Sequence, residues 1–140
     1  MADVVPMDLV VLADDEGNSV SIKVSGPEST WSVGLAAEIV VETPFVSGRC
    51  LLILSASKVR AWGSALDSLE AGEDIAWMQM DRGPTVSIQL NGDRGCPEVV
   101  VEDETTSMVT VRVPIDLPPD WVAAHQERLR ELVAAWGLLA

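Results

Sequence analysis

Basic residues are scarce in this sequence: nine Lys and Arg stand against 22 Asp and Glu, and the net charge is −13. Proteins that bind nucleic acid by neutralising phosphates need clustered Lys and Arg, which this chain does not have. Acidity of this degree keeps a domain soluble and also favours association with basic proteins. We therefore expect no direct binding of nucleic-acid phosphates, and a basic protein as the partner if the acidity is functional.

Long apolar runs are also absent. None approaches the roughly 20 residues that an α-helix needs to span a bilayer. The first six residues contain Asp3 and no basic residue, whereas a secretory signal begins with positive charge. These features predict a cytoplasmic protein that makes no membrane contact.

Histidine and cysteine, the commonest ligands and nucleophiles, are few. His125 is the only histidine, so no site can use two imidazoles. Because His125 falls on the apolar stripe of a predicted helix, we interpret it as a structural or interface residue. Cys50 lies in an apolar run and Cys96 in a Gly/Pro turn, a spacing that matches neither zinc nor redox motifs. We predict two reduced thiols.

Motifs that would carry catalysis or hold a cofactor are missing as well. There is no Gly-rich phosphate loop and no serine in a nucleophile elbow. The acidic run from Asp14 resembles the start of a calcium loop, but Ser19 stands where that loop requires glycine. The sequence thus predicts a protein without metal or cofactor that is not an enzyme. Asp and Glu residues that converge in a cleft remain an alternative, as a hydrolase or small-molecule site.

What the chain does contain is enough apolar sequence, 48% of 140 residues, to form one domain over residues 1–140. Alternating apolar residues and turn signals predict about eight strands, and helical periodicity predicts two helices. The order is ββββ-α-ββββ-α, an α+β fold with a mainly antiparallel sheet, or two packed layers, and two covering helices. The predicted strands are residues 9–13, 20–24, 35–41, 45–54, 75–80, 85–90, 98–102 and 108–113.

Several local details follow from the same patterns. The apolar run at residues 45–54 predicts a central strand buried on both faces. Ser55 or Ser57 is expected to cap the first helix, which ends before Gly72, and Gly63 is expected to let a strand approach closely. Pro119 and Asp120 predict the start of the second helix, which continues to about Trp136.

Two acidic clusters and one tryptophan are the candidate binding residues. The clusters fall in predicted hairpin turns, and Trp31 lies in a polar, turn-rich stretch where an exposed aromatic can serve as an anchor. The candidates are Asp14, Asp15, Glu16, Trp31, Glu102, Asp103 and Glu104.

A resemblance to known proteins extends over nearly the whole chain. It rests on residues 7–9 and 12–19, on Val59-Arg60-Ala61-Trp62, and on Pro119-Asp120-Trp121-Val122. With these segments the chain resembles an actinobacterial family of uncharacterised small domains, which implies no activity and no catalytic residues. In element order it is also similar to the immunity proteins of wall-associated contact-dependent toxins. That similarity implies that this chain binds and neutralises a toxin.

These observations lead to one functional hypothesis and two alternatives. The hypothesis is a non-catalytic acidic domain, immunity-like, that neutralises or docks a basic protein. The first alternative is a structural or accessory subunit that acts as a homo-oligomer, suggested by Trp-containing helix faces and the apolar residues 136–140. The second is the small-molecule binder or hydrolase with an Asp/Glu site.

Overall fold

The computed structural model describes residues 6–27, 34–79 and 83–136. Eight strands and two helices follow one another in the predicted order, and the fold is α+β with two antiparallel sheets. The elements are β1 (Met7–Ala13), β2 (Ser19–Pro27), β3 (Leu35–Glu42), β4 (Ser47–Leu54), α1 (Ala56–Glu70), β5 (Ile75–Trp77), β6 (Thr85–Gln89), β7 (Glu98–Glu102), β8 (Thr110–Pro114) and α2 (Trp121–Trp136).

The first sheet is a meander in the order β1-β2-β3-β4. Alternate residues of β2 and β3, such as Ile22 and Ile39, are fully buried, because one face of the sheet packs on the core and the other meets water. The turn between β1 and β2 needs Gly17, whose φ of 89° lies in the left-handed region. This sheet places its β1–β2 and β3–β4 turns side by side, with Gly17 next to Pro44.

The second sheet is also a meander, in the order β5-β6-β7-β8. Its strand β7 is buried along four consecutive residues, from Glu98 to Val101. The inner faces of the two sheets meet, since Ile39 of β3 lines the same cavity as Val101 of β7 and Val111 of β8. Buried side chains from both sheets and both helices form one apolar cluster.

The helices close this core from the side. Ser55 caps α1 by accepting a hydrogen bond from the Lys58 amide, and Gly72 follows the helix with a φ of 87°, both as predicted. Trp62 of α1 is fully buried and packs against Trp77 of β5, with ring centroids 4.7 Å apart. The second helix, α2, packs on β1 and on α1.

Three predictions about packing were wrong. The strand β4 is an edge strand and not a central one, and Leu51 and Ile53 point to solvent. Gly63 lies against Leu129 of α2 and not against a strand. In β1 the pairing register shifts between Asp8 and Val10, so the buried residues are Leu9, Val10 and Leu12 where alternation predicted Leu9, Val11 and Ala13.

Candidate functional site

A cleft opens where the hairpin formed by β3 and β4 meets the loop between β7 and β8. Its volume is about 230 Å³. The walls are mainly valine and isoleucine side chains from the inner faces of both sheets, and Cys50 and Asp103 lie at its side. A second groove of about 600 Å³ continues from Cys50 along β4 to Ile53, with Thr105 and Thr106 among the residues that line it. We call the two together the β4 cleft.

The loop between β7 and β8, residues 103–109, is organised by Asp103. Its carboxylate accepts hydrogen bonds from the Ser107 hydroxyl at 2.7 Å and from the amides of Ser107 and Thr106 at 3.0 and 3.3 Å. The hydrogen bond from the Ser107 hydroxyl is the main reason that the pKa of Asp103 is lowered. Asp103 therefore stays ionised while it fixes the loop.

This loop presents Met108 in an unusual backbone conformation. The φ of Met108 is 62°, a left-handed value that costs energy for a residue with a β-carbon. The Met108 amide donates to the carbonyl oxygen of Asp103 at 2.8 Å, and the Asp103 amide donates to that of Val109 at 3.0 Å. These backbone bonds hold Met108 with most of its side chain in solvent.

Two carboxylates flank Asp103 and interact with each other. The pKa of Glu104 is raised, first by a hydrogen bond with the Glu102 carboxylate and then by desolvation and by repulsion from the same group. The two side chains border a recess that also contains Met108, Val109 and Thr110. A cation placed beside Glu102 and Glu104 would relieve their repulsion, so this recess, which adjoins the cleft at Asp103 and Val109, favours positive charge.

Cys50 has its thiol on the inner side of β4. Burial, followed by the negative charge and hydrogen bonding of Asp103, raises the pKa of this thiol. A thiol with a raised pKa stays protonated and is a poor nucleophile. Cys50 and Cys96 are both free, as predicted.

Large apolar side chains are concentrated around the same cleft. Among the described residues, five large hydrophobic side chains are exposed, and all five belong to the two hairpins that border the cleft. They are Phe45 (95% exposed), Leu51 (80%), Met108 (73%), Val109 (54%) and Ile53 (44%). Clustered exposed apolar surface beside polar groups is typical of protein interaction sites.

The other predicted acidic cluster lies elsewhere. Asp14 accepts hydrogen bonds from the amides of Glu16 and Asn18 at 2.8 and 3.1 Å, which makes it the organiser of the β1–β2 turn. Burial acts to raise the pKa of Asp14, but these hydrogen bonds outweigh it and the pKa is lowered. Glu16 lines a separate recess with Arg94 and Asp116, and Asp15 is exposed. The two acidic clusters are therefore not brought together in one site.

Two other residues were singled out from the sequence, Trp31 and His125. Trp31 lies outside the described residues. His125 is 2% exposed, and its two ring nitrogens are bonded to the backbone: Nε2 accepts from the Val11 amide at 3.0 Å, and Nδ1 lies 2.6 Å from the carbonyl oxygen of Trp121. His125 is thus a structural residue, as its position on the apolar stripe predicted. In the described part of the chain, no three His, Cys, Asp or Glu side chains converge as metal ligands.

Sequence reasoning missed the half-buried ion pair between Glu98 and Arg112 and the exposed apolar side chains around the cleft. Glu98 is buried in β7 and accepts a charge-assisted hydrogen bond from Arg112 of β8. Arg112 lies opposite Val100, two residues along β7 from Glu98. The register of the β7–β8 ladder would therefore have revealed the ion pair. Arg49, a charge inside the apolar run, is the signal that marks β4 as an edge strand.

The fold and the cleft define an α+β domain of two four-stranded sheets, with exposed apolar side chains and acidic groups beside one cleft. The model of a family of unknown function, DUF5959, matches residues 7–137, and the chain belongs to that family. This confirms the resemblance to an uncharacterised family of small domains. Comparison with curated proteins and with solved structures gave no match. No helix in the described ranges is long and apolar enough to cross a membrane.

Proposed function

We propose that this domain is a non-catalytic protein-binding module that docks a basic protein partner at the β4 cleft. The observation that carries the proposal is the coincidence of exposed apolar side chains and acidic groups on two adjacent hairpins. Leu51, Ile53 and Met108 supply apolar surface of the kind that interfaces bury, and Glu102 and Glu104 supply the negative rim.

Charge supports a basic partner in preference to a neutral one. A net charge of −13 on 140 residues creates a negative field that accelerates encounter with a basic protein. The effect falls with ionic strength, because exposed charges are screened beyond about 8 Å at physiological salt. Neutralisation of a basic toxin, as immunity proteins perform, is the form of this function that the element order favours.

The state of the groups that could serve catalysis also supports a non-catalytic role. His125 has both nitrogens engaged by the backbone, and the raised pKa of the Cys50 thiol keeps it protonated. Asp103 is occupied by its own loop. The chemistry available at the cleft is therefore recognition by charge and apolar contact.

The experiment is affinity purification of the tagged chain from its native host at low and high salt, with mass spectrometry of the proteins that co-purify. We expect a stoichiometric basic partner that is lost at high salt and is not retained by a Leu51→Lys variant. Recovery of the chain alone at both salts would overturn the proposal.

Sedimentation velocity separates this function from the homo-oligomeric alternative. The proposal predicts a monomer at high concentration in low salt, since two copies bring together two net charges of −13. A dimer that Leu51→Lys dissociates would instead assign the exposed apolar side chains around the cleft to contact between copies and would contradict a basic partner at this surface.

A further inference from the structure

The free edge of β4 has unpaired backbone groups, and their direction follows from the hairpin register. The Thr43 amide donates to the carbonyl oxygen of Val46 at 2.8 Å and closes the β3–β4 turn. Hydrogen-bonded and non-bonded pairs alternate along an antiparallel ladder. With Glu42 opposite Ser47, the amides and carbonyls of Ser47, Arg49, Leu51 and Ile53 therefore point away from β3.

One contact confirms this direction. The Lys58 ammonium donates to the carbonyl oxygen of Ile53 at 3.1 Å and closes that end of the edge. The backbone groups of Ser47, Arg49 and Leu51 have no hydrogen-bond partner among the residues that the structure describes. An open edge with apolar side chains is a template for pairing with another strand.

The opposite edge of the same sheet, formed by β1, is covered by a helix. There the β1 backbone is covered by α2: His125 accepts from the Val11 amide, and Arg128 donates to the carbonyl oxygen of Asp8 at 3.2 Å. The chain thus protects one edge of the sheet with side-chain hydrogen bonds and leaves the other open beside a groove. That contrast singles out β4 as the edge available to a partner.

We propose that the β4 edge binds an extended basic segment of the partner protein by antiparallel strand addition. This inference rests on the proposed function and names the mode and chemistry of recognition. Main-chain hydrogen bonds to Arg49 and Leu51 supply affinity, and alternate side chains supply specificity. The occupant is a segment in which apolar and basic residues alternate.

The two faces of the added strand determine this alternation. The residues of the partner segment that pair with Arg49 and Leu51 have their side chains on the outer face of the sheet. They lie beside the exposed side chains of Leu51 and Ile53 and are apolar. The residues between them face the groove that Asp103 and Thr105 line together with Arg49 and Lys58. Arg49 is paired with Glu38, and the Lys58 ammonium is bonded to the carbonyl oxygen of Ile53, so the net charge of −13 is what favours basic residues at these positions. A second copy of this chain fits poorly, since it would add a net charge of −13.

The test uses an eight-residue peptide of alternating Val and Lys with blocked ends, titrated against the full chain at low salt. We expect binding, with amide hydrogen exchange of Arg49 and Leu51 slowed at least tenfold at saturation. A peptide methylated on its valine amides should lose binding, whereas one methylated on its lysine amides should retain it. A Val/Glu peptide should not bind.

Variants of the chain give an independent readout. Leu51→Pro removes the outward amide while the β3 ladder keeps its hydrogen bonds, and we expect at least a tenfold loss of peptide affinity. Leu51→Thr keeps the amide and should bind within about threefold of wild type. If Leu51→Pro does not fold, the paired methylated peptides decide the question without it.

Three results would overturn strand addition: no protection of the Arg49 and Leu51 amides at millimolar peptide, equal binding of the two methylated peptides, or equal binding of the Val/Glu peptide. Failure of this mode is distinguishable from failure of the proposed function. A salt-sensitive basic partner that Leu51→Pro and Leu51→Lys still bind would exclude the β4 edge and leave the acidic recognition function intact.

Discussion

His125 accepts a hydrogen bond from the backbone amide of Val11, 114 residues earlier in the chain, at 3.0 Å. Because Nε2 is the acceptor, the proton of the neutral ring is on Nδ1 and is donated to the carbonyl oxygen of Trp121. The histidine thus ties the last helix to the first strand. It also makes the stability of the domain sensitive to mildly acidic pH.

Burial is the main reason that the pKa of His125 is lowered in the folded protein, and the nearby Arg128 charge adds to it. The unfolded chain therefore binds a proton near pH 6.5 before the folded one does, so stability is complete above that pH and declines as pH falls below it. We expect the free energy of unfolding, measured by urea denaturation, to fall from pH 7.5 to pH 5.5. His125 is the only histidine, and His125→Phe should remove most of this dependence.

At pH 7.5 the same His125→Phe substitution should lower the free energy of unfolding by about 1–3 kcal/mol, because the partly buried Val11 amide loses its acceptor. Ala124→Gln, an exposed change one residue away, is the control and should have little effect. A His125→Phe protein as stable as wild type would show that the hydrogen bond between α2 and β1 contributes nothing to stability.

Glu98 and Arg112 provide a second stability test. Arg112→Met leaves the Glu98 carboxylate buried without its cation, and we expect Tm to fall by several degrees. In the Glu98→Gln/Arg112→Met protein no unpaired charge remains, so Tm should recover toward the wild-type value. Calorimetry of the single and double variants measures this coupling, and a double variant less stable than Arg112→Met would contradict the account.

Gly63 tests the close packing of the two helices. An added β-carbon would lie 3.2 Å from Cδ2 of Leu129, the end of a partly exposed and movable side chain. Gly63→Ala should therefore stabilise the domain by up to about 1 kcal/mol through helix propensity. Gly63→Val is too large for the contact and should destabilise it. Denaturation midpoints of the two variants on opposite sides of the wild type would confirm the contact.

The order of elements could be predicted from sequence because each depends on local signals. Ser55 and Gly72 marked the ends of α1, and alternation identified the strands. The position of β4 could not be derived, because an edge strand that presents Leu51 and Ile53 to solvent has the same composition as a buried one. The shift at Asp8 reverses the buried face of β1 and leaves no mark in the composition.

The acidic residues of the candidate site could be predicted from the sequence, but their position relative to β4 could not. Glu102, Asp103 and Glu104 were identified because acidic residues in turns are visible in sequence. The approach of Asp103 to β4 depends on how the two sheets pack, which is a long-range property. Asp14 and Asp103 looked alike as turn carboxylates, and each organises its own loop, but only the loop of Asp103 lines the β4 cleft.

The central claim is that the β4 cleft is the acidic docking surface. Glu102→Gln/Glu104→Gln removes two charges from the recess that adjoins the cleft at Asp103 and Val109, and Asp15→Asn/Glu16→Gln removes two charges at the separate β1–β2 turn. The decisive measurement is the association rate of each double variant with the purified basic partner, followed across salt concentrations. We predict a rate about three- to tenfold lower with a shallower salt dependence for the cleft variant, and a near wild-type rate for the turn variant. Equal rates for the two variants would show that only total charge matters and would contradict the assignment of the cleft.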